Sequence, residues 1–168
     1  MDLRSRDDKP QGCRGSPNPD AEQLLHTPEP ARLAYNGPDG FPRVIPIGFL
    51  WNGSAIVVCT AVTAPKVNAL GERPNVALTI DDIGPPAKAL LVRGVANVEI
   101  VDGVAPEYLA AAAKSTQGAE LAAFEAQVRA TYKQMARIII APTWARFYDF
   151  GAGRFPTFLR QLVDSTSG

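Results

Sequence analysis

Between residues 59 and 66 the chain reads Cys59-Thr60-Ala61-Val62-Thr63-Ala64-Pro65-Lys66, and no other stretch is as well equipped for chemistry. An apolar strand runs into hydroxyl-bearing residues. A loop of small residues follows, and a helix then opens with Lys66 in its first turn. Backbone N–H groups at a helix start favour an anion. A threonine hydroxyl adds a donor and a lysine ammonium adds charge. Together these groups have the chemistry of a phosphate cradle. The same residues also make an ordinary strand-to-helix turn with a solvated lysine, and spacing alone leaves the two readings level.

Elsewhere the reactive groups are sparser. His26 is the single histidine. It stands at a helix end before Pro28 and reads as a surface residue. Asp81-Asp82 follows a strand and precedes Gly84-Pro85-Pro86, where a solvated turn accounts for it better than a metal. With Cys13 and Cys59 as the only cysteines, neither a disulfide framework nor a Cys/His zinc site is expected, and no metal site is assigned. Tyr35, Tyr132 and Tyr148 can donate a proton, but edge packing explains each of them. Trp51 reads as hairpin packing. Trp144 is divided between stacking on a ligand and packing at an interface. Glycine-rich dinucleotide loops, Walker loops, nucleophile elbows and paired metal motifs are absent, so the catalytic residues stay unassigned.

The elements that must hold the cradle follow from turn chemistry and periodicity. Residues 20–27 make two helical turns, ended by Pro28 and Pro30. An extended run at 32–35 meets the turn Asn36-Gly37-Pro38-Asp39-Gly40. A second strand is expected over 43–51. Pro46 interrupts it, and a proline belongs at an edge or bulge. Asn52-Gly53 is a hairpin signal leading to a third strand at 54–60. A short helix at 64–71 has Pro near its start and Gly at its end. Strands at 75–81 and 88–101 come next, the longer one bending near Gly94. Helices are expected at 106–114 and 119–135, the second from the spacing of Leu121, Phe124, Val128, Tyr132 and Met135. Strands at 137–140 and 144–150 and a short helix at 155–163 close the chain. About seven antiparallel strands with few helices imply a mainly β fold that curls into a small barrel. Its core is expected from Val44, Ile45, Ile47, Phe49, Leu50, Ile56, Val57, Val58, Leu78, Ile80, Leu90, Val92, Ile138 and Ile140.

Composition bounds the function. The chain has 168 residues, 46% hydrophobic and 20% charged, enough for one domain with its own core. Lys plus Arg is 17 and Asp plus Glu is 17. A net charge of zero argues against nucleic acid or an acidic membrane as partner. No apolar run reaches spanning length, and the N-terminus lacks the apolar stretch of a secretory signal. A cytoplasmic protein is the expectation. Residues 1–19 are rich in Pro, Gly and charge and read as a flexible tail, with Cys13 an incidental thiol. Residues 20–168 form the expected domain.

Arg43-Val44-Ile45-Pro46-Ile47, then Cys59-Thr60 with Lys66 six residues beyond the threonine, then Arg73-Pro74-Asn75-Val76-Ala77-Leu78, resemble the pyridoxamine 5′-phosphate oxidase-like flavoproteins. The ordered set, running from about Ala31 to Phe150, is more specific than any one piece. It is most similar to the small actinobacterial-type members. The resemblance implies an antiparallel split β-barrel of the FMN-binding type, with peripheral helices, forming a homodimer with two cofactor sites at its interface. By the same resemblance, residues 43–48, including Arg43, Val44, Ile45, Pro46 and Ile47, border the isoalloxazine and help hold the phosphate end. Cys59 and Thr60 lie beside the flavin, and Lys66 contacts the phosphate.

The chain departs from that pattern in informative places. Pro65 stands where the family commonly has a second cation. No glutamine of the true oxidases is found near residues 89–91. Their C-terminal arginine and histidine motif is also missing, and Trp144-Ala145-Arg146 instead resembles the closing strand of the smaller reductase-type members. Pyridoxamine phosphate is therefore not the expected substrate. The cofactor expected is FMN, with coenzyme F420 as the alternative. The expected activity is hydride transfer to or from a small organic molecule, the chemistry being the cofactor's. The competing reading is a protein that binds or carries a flavin, deazaflavin or haem without turnover.

Overall fold

The computed structural model describes residues 19–160. The expected tail at 1–19, Cys13 and the end of the helix expected at 155–163 lie outside the described residues, apart from Pro19 and residues 155–160. In chain order the elements are α1 (Pro19–Leu25), β1 (Ala31–Asn36), β2 (Pro42–Ile47), β3 (Leu50–Trp51), β4 (Ile56–Ala61), α2 (Pro65–Glu72), β5 (Asn75–Asp82), β6 (Lys88–Asp102), α3 (Pro106–Ala112), α4 (Gly118–Thr131) and β7 (Gln134–Asp149).

The seven strands form one antiparallel sheet in the order β2-β1-β5-β6-β7-β4-β3. Its two outermost strands, β2 and β3, are consecutive in the chain. Only Gly48 and Phe49 separate them, so their near ends lie within about 11 Å of one another. The sheet must curl until its edges meet, and the fold is a split β-barrel dominated by β structure. The single strand expected over 43–51 is thus two strands at opposite ends of the sheet. The local hydrophobic run misleads because the chain changes sheet edge at Gly48-Phe49, where Phe49 turns into the core. Pro46 sits on β2, opposite Arg32 of β1. On an outermost strand its missing N–H removes no bond from the open side.

Turn chemistry sets the hairpins. Gly40, at φ 81°, lets the β1–β2 turn close, and the Gly37 N–H donates to the Phe41 carbonyl at 2.9 Å. In the β3–β4 hairpin the Asn52 Oδ1 accepts from the N–H groups of Ser54 at 3.0 Å and Ala55 at 2.8 Å.

β6 and β7 form the spine of the barrel, paired from Lys88↔Asp149 to Asp102↔Gln134. Their register slips between Arg93 and Gly94, leaving Thr143 without a paired residue on β6, though its hydroxyl donates to the Arg93 carbonyl at 3.3 Å. The bend expected at Gly94 is this bulge. A Cβ on Gly94 would stand 2.6 Å from the Ala141 carbonyl oxygen, so only glycine allows the approach. The strands expected at 137–140 and 144–150 are one strand, which absorbs Pro142 at the bulge. Likewise α4 ends at Thr131, and Met135, expected on the helix, is a fully buried residue of β7 opposite Val101. The helical spacing continues past the helix, but pairing with β6 outweighs it.

β4 is buried on both faces, which explains its unbroken apolar run. Ile56 and Val58 face the barrel interior with Leu33, Phe49, Leu78, Ile80, Leu90, Val92, Ile138 and Ile140. Val57 and Cys59 face a second layer with Val104, Ala105, Val128 and Met135 beneath α3 and α4. Val44, expected in the core, is 66% exposed on the outer face of β2. Ile45 and Ile47, one and three residues further along, pack partly against the interior as strand alternation requires. Among the described residues no helix is long and apolar enough to cross a membrane.

Candidate functional site

The outer face of β4 borders a cavity of about 380 Å³. The end of β2 contributes Pro46, Ile47 and Gly48, and β4 contributes Val57, Cys59 and Thr60. Across from them stand Glu107, Tyr108, Ala111 and Ala112 of α3 and Phe124 of α4, with Pro28 and Pro30 at the rim. A strand change at Gly48, a helix laid over β4 and a proline-stiffened α1–β1 connection therefore build the pocket.

Four of the eight expected site residues, Pro46, Ile47, Cys59 and Thr60, line this cavity. The others do not. Val44 points outward and Ile45 packs towards the barrel interior. Arg43 is held by its own hairpin, with Nη2 2.6 Å from Asp39 Oδ2 and Nη1 donating to the Phe41 carbonyl at 3.3 Å. That guanidinium holds the Asp39 carboxyl below its usual range. Lys66 lies in the first turn of α2, beyond the end of β4. It has no acceptor or counter-charge among the described residues, and burial lowers its ammonium pKa. The residue before α2, Ala64, supplies no side-chain cap.

The α3 wall carries groups that the sequence did not mark. Arg137 of β7 donates from Nη1 to Glu107 Oε1 at 3.2 Å and from Nη2 to Glu99 Oε2 at 2.9 Å. Glu107 Oε2 and Arg137 Nε are buried without a hydrogen-bond partner among the described residues. Burial pushes the neighbouring Cys59 thiol up to about 11. Glu107 adds to the rise, while Arg137 and the Tyr108 backbone N–H oppose it. Cys59 is thus a protonated thiol at neutral pH and a poor nucleophile. Burial, then Tyr132, also raises the Tyr108 phenol. Tyr108 packs on Phe124 and Tyr132, with ring centroids 5.8 and 6.2 Å apart. Glu107 and Arg137 are 30 residues apart and meet only because α3 covers β4 and β7. The acidic residue in the first turn of α3 was the only local signal.

Of the remaining sequence candidates, His26 is exposed. Asp81 pairs with Arg32 at 2.8 Å, and Asp82 caps the Gly84 N–H at 2.9 Å, a turn role. The Trp144 ring lies beneath Arg93, 4.5 Å from guanidinium carbon to ring centroid, away from the cavity.

The outer strand face of β4 and its helical cover thus border a concavity of the form that small-molecule sites take. The chain belongs to the pyridoxamine 5′-phosphate oxidase family, whose model matches residues 18–148. Among solved structures, an F420 reductase is 26% identical, with a TM-score of 0.58, and the match covers 74% of this chain and 94% of that one. A conserved hypothetical protein from Mycobacterium tuberculosis is 18% identical at a TM-score of 0.65, covering 88% and 94%. HutZ, the haem storage protein from Vibrio cholerae, is 15% identical at 0.54, covering 79% and 93%. The latter two likenesses are of fold alone. No curated protein sequence matches the chain.

Proposed function

We propose that the chain is an oxidoreductase that binds a phosphorylated flavin-type cofactor, FMN or F420, and passes a hydride between it and a small organic molecule. The observation that carries this reading is Lys66. Its ammonium is partly buried, lacks a counter-charge among the described residues and stands at an uncapped helix start just beyond Thr60. A partly desolvated cation without a partner favours an anion there. The cavity suits the remainder of such a cofactor or its reaction partner, because its walls pair apolar groups such as Ile47, Val57 and Phe124 with a few polar ones and no cation lines it. Family membership and the F420 reductase among the similar structures point to the same cofactor class.

When bound, the cofactor supplies the hydride chemistry. The chain's own residues do three things in this reading. Lys66 and Thr60 hold the phosphate end, Pro46, Ile47 and Cys59 border the ring, and α3 excludes water. Cys59 and Tyr108, both kept protonated, offer hydrogen-bond donors without adding charge. Arg43 and Val44 belong to the site through a second copy of the chain, and Ile45 supports their strand from the barrel interior. Val44, Val95 and Ile100 leave apolar surface on outer strand faces, 66%, 43% and 52% exposed, which a homodimer would cover.

Titration of the purified protein with FMN and with F420, followed by cofactor fluorescence, tests the reading. Saturable binding of either, with reduction by NAD(P)H or oxidation of reduced F420 in the presence of an acceptor, is expected. Absence of binding by both would overturn the cofactor assignment. Binding without turnover across a panel of acceptors would make the protein a carrier.

A further inference from the structure

The two ends of α3 are held in different ways. Its start is fixed. Val104 and Ala105, just before the helix, are buried, and Glu107 in its first turn accepts from Arg137 of β7 at 3.2 Å. Tyr108 and Leu109 pack against the layer beneath, but no residue of α3 is itself buried. At the far end one side chain makes the connection. Lys114, half-buried, donates from Nζ to the carbonyl of Leu25, the last residue of α1, at 3.3 Å. The same ammonium lies 3.9 Å from the centroid of the Phe49 ring, where the chain changes sheet edge. Among the described residues no other hydrogen bond or ion pair ties residues 110–116 to another element. Gly118 then joins this segment to α4 at φ 60°, and a glycine there absorbs a change of backbone angle that a side chain would resist.

The groups that meet at Lys114 all adjoin the cavity's border. Pro28 and Pro30 follow Leu25, Gly48 precedes Phe49, and Ala111, Ala112 and Ser115 flank Lys114. We infer that α3 is a lid over the cavity, pivoting on its anchored first turn, and that Lys114 is the latch that holds it against α1 and Phe49. This deepens the proposed function, on which it rests only in taking the cavity as the seat of a ligand. With the latch closed, α3 keeps water from whatever the cavity holds. With it released, residues 110–116 swing away and a ligand passes in or out. A cation over a ring and a single bond to a helix-end carbonyl are each of modest strength. Such a latch opens by local motion, without unfolding the barrel.

Cys59 borders the cavity opposite α3 and reports its opening. In a Cys13→Ser background it is the one thiol of the chain, and its labelling by monobromobimane can be timed. Lys114→Met keeps most of the stem and removes the charge. It should speed labelling about tenfold, the combined strength of the two contacts. Lys114→Arg, which keeps a cation, should stay near the parent rate. In the Lys114→Met protein, hydrogen exchange read by mass spectrometry should quicken over residues 110–116 and stay unchanged in β6 and β7. Parent Cys59 that labels as fast as in the urea-unfolded chain overturns the inference without any variant. So does an unchanged labelling rate in Lys114→Met, or exchange that quickens equally in the lid and the barrel strands. FMN and F420 titrations of the same preparations separate the two claims. A latch-controlled thiol with no cofactor binding sinks only the cofactor reading. Cofactor binding with a thiol indifferent to Lys114 sinks only this one.

Discussion

The two faces of β4 contrast sharply. Inside the barrel, Ile56 and Val58 meet only apolar neighbours and leave no water contact. On the outside, one residue along, Val57 and Cys59 border a cavity that Thr60 reaches only near the end of the strand, with a carboxylate, a guanidinium and a phenol nearby. The strand alternation that closes the core thereby delivers the site, since every second side chain must point outward. The lesson is a division of labour at single-residue spacing. The interior face carries stability, and the outer face carries the polar groups that the core excludes.

The largest effect should come from the interior. Ile138 is fully buried among the barrel residues. Ile138→Ala should cost about 2–5 kcal/mol of unfolding free energy, read from urea denaturation. Val128→Ala, in the layer beneath α4, removes a smaller side chain at a site 6% exposed and should cost less. If the order reverses, the contrast is wrong and the helical layer is the real core. Gly94→Ala comes next. Its Cβ would strike backbone at 2.6 Å and the Ile140 side chain at 2.9 Å. A loss of roughly 1–3 kcal/mol is expected, and an unchanged melting temperature would show that the β6–β7 bulge yields freely.

The outer face should respond in binding and hardly at all in stability. Lys66→Ala should weaken FMN or F420 binding by about 1–3 kcal/mol, the range for a charge-assisted hydrogen bond, which is on the order of ten- to hundredfold. Apo stability should stay within about 0.5 kcal/mol. Riboflavin, lacking the phosphate, should bind wild type and variant alike. Equal FMN affinity in the two proteins would remove Lys66 from the site and leave its missing counter-charge a matter of surface chance.

Much of this architecture was legible in the sequence, and the reasons are local. Asn36 to Gly40 and Asn52-Gly53 encode their hairpins in a few residues, and Pro46 announces an edge. The cradle was legible because Cys59, Thr60 and Lys66 are near neighbours in the chain. Three features were not. Met135 keeps helical spacing with Val128, yet pairs with Val101 across the sheet. Val44 looks like core until β2 proves to be an outermost strand. The Glu107–Arg137–Glu99 group needs three elements to meet, and one acidic residue in the first turn of 106–112 does not distinguish a site wall from a surface helix. Long-range pairing decided each of these, and it leaves no short-range mark.

The smallest predicted effect concerns Cys59, and it measures how dry the outer face is. The folded thiol titrates at about 11 instead of its ordinary 9.0, chiefly through burial. Below pH 9 both folded and unfolded chains hold the proton, so this group adds no pH dependence. Between pH 9 and 11 the unfolded chain releases the proton while the folded chain keeps it. Stability contributed by the buried thiol must therefore fall as pH rises through that window. Partial solvent screening on the cavity side limits the loss to about 1 kcal/mol. Other groups titrate in the same range, so the comparison is with Cys59→Ala. Between pH 8.5 and 10.5 the wild type should lose about 2–4 °C more of its melting temperature than the variant. Parallel curves would mean that the thiol ionises as it does in water. The outer face of β4 would then be as wet as the surface, and the contrast between its two faces would fail.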